Sequence, residues 1–182
     1  MVIMRPTSIV VAGGGSETAS IRAAGGVEFA NATSLSLNGV FTSDYDDYMI
    51  VMRHDGTSAG DSLWVRNRAS GSDATAANYV SQILIADGST VSGVRLTSQT
   101  AYRMGSSWNN LKSGLVCYSY GPALAQPTAF RSVAVEADSS VDDARVYDVA
   151  GTHSLSTAYD GITIYPNSGS MNGLVTVYGL AQ

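Results

Sequence analysis

From Tyr48 to the C-terminus, clusters of Gly, Asp, Ser, Asn and Pro interrupt the chain about every eight to twelve residues, and short runs rich in Val, Ile, Tyr and Thr lie between them. No 3.6-residue periodicity is sustained anywhere in the sequence. That rhythm confines the chain to the all-β class, because each run is too short for a helix and is bounded by turn chemistry. About eight to ten such runs predict an antiparallel β-sandwich of two sheets, of jelly-roll type.

The pattern is clearest from Phe41 to Arg68. In Tyr48-Met-Ile-Val-Met-Arg-His54, Tyr48, Ile50 and Met52 share one face, and Met49, Val51 and Arg53 the other. Asp55-Gly-Thr-Ser-Ala-Gly60 is turn chemistry. The next run sets Leu63 and Val65 against Trp64, Arg66 and Arg68, which predicts a core face and a basic outer strip.

Strands are also expected over Gly114–Tyr120, Thr128–Glu136, Arg145–Val149, Thr152–Ala158, Gly161–Pro166 and Gly173–Ala181. Ser70 to Ser98 reads as irregular. A helical turn fits Ala74–Tyr79, a strand fits Ser81–Ile85, and Asp87-Gly-Ser-Thr90 turns the chain. A weaker strand is expected within Arg95–Met104.

Residues 1–33 differ, with apolar bursts at Ile9-Val-Val11, Ile21 and Val27–Phe29 separated by Gly13-Gly-Gly15 and Ala23-Ala-Gly-Gly26. Pieces this short bury little alone. Two readings stay open: a docking arm ahead of a sandwich domain at 34–182, or extra strands within the same sheet system.

Residue by residue, Phe41-x-x-x-Tyr45-Asp-x-Tyr48 feeding a hydrophobic strand, and a second strand ending in alternating Arg, resemble a β-sandwich module of bacteriophage virion proteins. Tail-fibre, minor tail and capsid decoration proteins carry it. Gly161–Pro166 and Gly173–Ala181 resemble its last two strands, so the likeness runs from about Ser34 to the C-terminus. It implies a non-enzymatic structural protein, assembled in the host cytoplasm and displayed on the virion. It further implies a homotrimer, with residues 1–33 anchoring it to capsid or tail proteins. In that setting Arg66 and Arg68 would meet acidic loops of a neighbouring subunit.

Composition agrees with a role in contacts between proteins. Only 14% of the 182 residues are charged and 19 are Gly, and an uncharged surface costs less to desolvate than a charged one. The net charge of −5 argues against a nucleic-acid partner, which needs a concentrated basic face. No run approaches the ~18 apolar residues of a membrane span, and Met1–Pro6 turns polar too soon for a signal peptide.

Catalytic chemistry has little to draw on. The imidazoles are His54 and His153, Cys117 has no cysteine partner, and no Gly-x-Ser-x-Gly elbow or phosphate loop occurs. No cofactor is expected. Asp44, Asp46 and Asp47 form the nearest approach to a calcium site, with Asp138, Asp142 and Asp143 behind them, but neither cluster has the spacing of a twelve-residue calcium loop. Turn capping by Asp44 and Asp46 is the simpler expectation. The alternative function is a carbohydrate- or receptor-binding module. Tyr79, Tyr102, Trp108 and Tyr159 are its candidate contacts, because they fall in predicted loops where a ring is free to stack on a host-surface glycan.

Overall fold

The computed structural model describes residues 1–56, 61–107, 112–137 and 144–181. Among them run fourteen strands: β1 (Val2–Met4), β2 (Ser8–Ile21), β3 (Val27–Asn38), β4 (Asp47–Gly56), β5 (Asp61–Ala69), β6 (Ser72–Asp73), β7 (Tyr79–Asp87), β8 (Thr90–Gln99), β9 (Tyr102–Ser107), β10 (Ser113–Tyr120), β11 (Thr128–Ala137), β12 (Ala144–His153), β13 (Gly161–Pro166) and β14 (Met171–Leu180). All pair antiparallel in one continuous sheet. Two separately bonded sheets were expected; the structure joins them into one sheet that curls over on itself.

The long strand β3 makes that join. β13 and β14 follow one another along the same edge of β3, with Ile164 opposite Leu35 and Met171 opposite Ala32. On their far sides they diverge, β13 to β5 and β14 to β4. One flank is therefore β13-β5 with β6 and β9; the other runs β14-β4-β10-β11-β12-β7-β8. Strand β9 closes the curl. It pairs with β5, while its Met104 carbonyl accepts a 2.6 Å hydrogen bond from Ser132 on β11 and its Arg103 amide donates to Ser81 on β7.

The core fills the space inside. Period-two alternation turns Tyr48, Ile50 and Met52 inward from β4, Leu63 and Val65 from β5, and Leu115 and Cys117 from β10. β4 shows the expected faces, and Leu63 and Val65 face inward from β5 as expected, but the basic strip of β5 is not an outer one: Arg68 is buried and Arg66 half-buried. The Phe41–Tyr48 lead-in is a packing device: the two rings lie 4.7 Å apart, and the Tyr48 hydroxyl accepts from the Thr42 amide and donates to the Thr42 carbonyl.

Elsewhere the chain is more regular than its sequence suggests. Ser70 to Ser98 holds the hairpin β7-β8, turned at Gly88 with φ +54°, and Ala74 to Asn78 forms no helical turn. The strand expected within Arg95–Met104 divides between β8 and β9. Thr152–Ala158 is not a separate strand: β12 ends at His153, and the backbone then follows its neighbours through Ser154 N to Asn78 O and Tyr159 N to Pro122 O.

The boundary placed between residues 33 and 34 falls inside β3. β1 pairs with the second half of β14, and β2 pairs along β3 with a bulge at Gly13–Glu17. The first 33 residues thus lie in the same sheet system as the rest.

Candidate functional site

Among the surface features of the described residues, two gather side chains from distant parts of the chain over the most distinctive chemistry. The first is a polar cleft of about 350 Å³ at one end of the sheet. Its walls are β2, carrying the exposed Thr18 and Ser20, and the end of β4, carrying Arg53 and Asp55. Phe29, Ala30 and Gly173 lie between them. Gly173 is needed for space: a Cβ there would collide with the Arg53 carbonyl and the Phe29 ring.

Asp55 is the fixed point of the cleft. Its side chain is 8% exposed and is paired with Lys112 Nζ, and Asn172 Nδ2 donates to its other oxygen at 2.6 Å. Asn172 is held in turn, since its Oδ1 accepts from the Asn31 amide at 2.9 Å. Glu28 is bound by Arg22, an ion pair that holds the Glu28 carboxyl below its ordinary range. His54 also borders the cleft. Its Nε2 lies 3.1 Å from the Ser106 carbonyl, and burial pulls its pKa down to about 4.

The second feature is a shallow apolar groove of about 400 Å³ on the outward face of β4, β10, β11 and β12. Val51, Val116, Val133, Val135 and Val146 line it. Val133, Val135 and Val146 stay 48%, 51% and 44% exposed. Register explains the row: Val51, Val116 and Val133 are successive cross-strand partners, as are Val135 and Val146.

The residues proposed for ligand contact lie elsewhere. Tyr79, Tyr102 and Tyr159 are 0%, 1% and 3% exposed, so their rings are closed to a glycan; this corrects the sequence-based expectation. Each is taken up by the core. Tyr102 stacks on Phe130 at 3.8 Å and meets Cys117 Sγ through its hydroxyl. Tyr79 accepts from the Asn67 amide, donates to the Ala74 carbonyl and packs on His153. Tyr159 bonds His153 Nδ1 at 3.3 Å. Trp108, with Asp138, Asp142 and Asp143, lies outside the described residues.

Arg66 and Arg68, the candidate subunit contacts, have partners within the chain. Arg68 pairs with Asp73 and bonds Asn38, Thr163 and the Gly71 carbonyl. Arg66 stacks over Tyr165 at 4.6 Å and donates to the Thr100 carbonyl. Both serve to tie β5 to its neighbours. At the acidic lead-in, Asp44 accepts from the Thr42 hydroxyl and Asp47 from the Gly121 amide, as turn-capping carboxylates do. Among the described residues no three His, Cys, Asp or Glu side chains gather as a metal site.

Sequence reasoning missed both surface features. Nothing local in the sequence marks the cleft, because Ser20, Arg53 and Asn172 meet only through β2-β3 and β4-β14 pairing.

Fold and surface define an all-β antiparallel module that carries a polar cleft and an open apolar face among its described residues. No protein-family model matches the chain, and no curated protein matches it. Among solved structures it is similar to the CBM2 module of the evolved Dit of Lactobacillus casei BL23 phage J-1, at 14% identity over 97% of this chain and 92% of that one, with a TM-score of 0.39. It is also similar to the catalytic domain of PdAgaC, at 9% identity over 95% of this chain and 76% of that one, with a TM-score of 0.21. Neither likeness is close enough to assign a fold or a function.

Proposed function

We propose that this chain is a non-enzymatic structural module of a bacteriophage virion, a sandwich-like β module that assembles with copies of itself on the particle surface. The valine field on β10, β11 and β12 carries this reading. Covering its three half-exposed valines would stabilise a contact by on the order of 1 kcal/mol each; the charged neighbour on this face, Asp148 opposite Val133, is already paired with Arg131 at 2.7 Å.

The borders of the field suit a second copy. Arg53 flanks it on the β4 side and Asp148 on the β12 side, so a copy turned about an axis along the strands sets each Arg53 toward a partner Asp148. The three-fold arrangement implied by the sequence resemblance remains the proposed symmetry of the whole particle contact, around which such faces repeat. Anchoring to capsid or tail proteins falls to residues 1–33 through β2, which among the described residues pairs only with β3 and so leaves its other edge for an added strand. The role is that of a capsid decoration protein or a small tail component.

The test is the solution mass by light scattering at micromolar concentration, for the full chain and for a V133D/V135D variant. An oligomer that becomes a folded monomer in the variant supports the reading. A wild-type chain that stays monomeric at every concentration overturns it.

A further inference from the structure

We propose that Lys112 and Asn172 join in an intramolecular isopeptide bond, with Asp55 between them as the proton carrier. The modification is separate from the valine field and does not depend on assembly.

Strand pairing sets the three side chains in one row. Asn172 is the cross-strand partner of Asp55 on one side of β4. On the other side Ser113 opposes His54, and Lys112 stands next along that register, beside Asp55. Cross-strand neighbours point to the same face, so the amine, the carboxylate and the carboxamide converge. Asp55 touches both of the others: its Oδ2 pairs with Lys112 Nζ, and its Oδ1 accepts from Asn172 Nδ2 at 2.6 Å.

The carboxamide is also polarised. Met171 opposes Ala32 and Gly173 opposes Phe29, so two residues of β3, Ala30 and Asn31, stand against Asn172 alone. Such a bulge re-aims backbone groups. Asn31 takes a left-handed conformation, φ +52°, and its amide donates to Asn172 Oδ1 at 2.9 Å. An N–H held on that oxygen stabilises the oxyanion of a tetrahedral intermediate.

The reaction balances without a co-reactant. Lys112 Nζ yields a proton to the Asp55 carboxylate, and its lone pair attacks Asn172 Cγ while the C=O pair moves onto Oδ1. Asp55 passes its proton to Nδ2, the Cγ–Nδ2 bond breaks and the carbonyl re-forms. The proton that Nζ must still lose leaves through Asp55 with the ammonia, as ammonium. Attack on Asp55 itself is disfavoured, because a carboxylate is a poor electrophile. Lys112 is 67% exposed, so it exchanges protons with water and the reaction should quicken with rising pH. The new bond would tie β10 to β14 across β4 and restrain the unfolded chain as a disulfide does.

The experiment is intact-mass spectrometry of the full chain, fresh and after a week at about pH 9, where more of a lysine amine is neutral than at neutral pH. The wild type should become lighter by one ammonia, about 17 Da, and a tryptic digest should yield a branched peptide joining Lys112 to Asn172. Lys112→Arg, which keeps a cation beside Asp55 at an exposed position, should retain the full mass. Asp55→Asn should slow the loss about a hundredfold. Circular dichroism shows whether each variant is folded. Asn172 precedes Gly173, and an Asn-Gly pair also sheds ammonia when the next backbone nitrogen closes a ring; the arginine variant separates the two reactions. Full mass in the wild type after the incubation, an ammonia loss that Lys112→Arg retains, an unchanged rate in Asp55→Asn, or a loss of water joining Lys112 to Asp55 would each overturn the proposal.

Discussion

His54 gives the sharpest test of how the inner face of β4 is built. Alternation points its imidazole into the protein, where it is 1% exposed, opposite Ser113 on β10 and 3.1 Å from the Ser106 carbonyl. Burial favours the neutral ring and outweighs the opposing pull of that carbonyl and of Asp55, so the pKa falls from 6.5 to about 4. Between those values the unfolded chain binds a proton that the folded chain refuses, and stability must fall as pH falls. The contribution is complete above pH 6.5 and is lost progressively toward pH 4. By pH 5 the loss from this residue is about 2 kcal/mol, a large part of a typical folding free energy. His54→Gln keeps a donor for the Ser106 carbonyl but does not titrate. Urea unfolding of both proteins, followed by far-ultraviolet circular dichroism from about pH 7.5 to 5, isolates the term, because His153 and the carboxylates are common to both. The wild type should lose about 2 kcal/mol more than the variant over that range. Parallel profiles would refute the assignment of His54 as a buried, neutral imidazole.

Three further outcomes follow from the packing. Arg68→Ala should destabilise by about 1.5–3 kcal/mol in thermal or urea unfolding, since it removes the closer of the two cations on Asp73 and leaves only Arg66 at 3.8 Å; Arg68→Met should cost nearly as much for the same reason. Tyr102→Ala should cost about 3–5 kcal/mol by emptying the stack on Phe130, whereas Tyr102→Phe, which keeps the ring, should cost less than about 1.5 kcal/mol. Cys117, fully enclosed and with its thiol pushed up to about 12, should resist iodoacetamide in the folded chain and react on unfolding; rapid native labelling, measured by mass spectrometry, would contradict its placement on the inner face of β10.

Strands were legible wherever one face is buried and the other is not. Alternation in Tyr48–Arg53 and Leu63–Val65 fixed which side chains face inward, because a period of two leaves no other choice. Ser70 to Ser98 misled for the same physical reason. β8 exposes nearly every residue on both faces, so its apolar pattern is weak, and its strand identity comes from pairing with β7. The aromatic candidates failed because turn-like surroundings were taken to mean exposure. Tyr79 and Tyr102 open their strands, and their rings turn inward to meet Phe130 and His153, partners far away in the sequence.

The first 33 residues show what pairing adds to local pattern. Read alone they are fragments too short to bury much, which is why a separable arm was one of two natural readings. In the fold β3 hydrogen-bonds to β2 on one edge and to β13 and β14 on the other, so those fragments are the hinge about which the sheet curls. Deleting residues 1–33 would remove β1, β2 and half of β3, baring the edge of β14 and one wall of the cleft. Loss of assembly after such a deletion would therefore report unfolding rather than a lost anchor. Anchoring by β2 has to be tested on the intact sheet, with a proline at a β2 position whose N–H faces away from β3, so that an added strand is blocked while the β2–β3 ladder keeps its bonds.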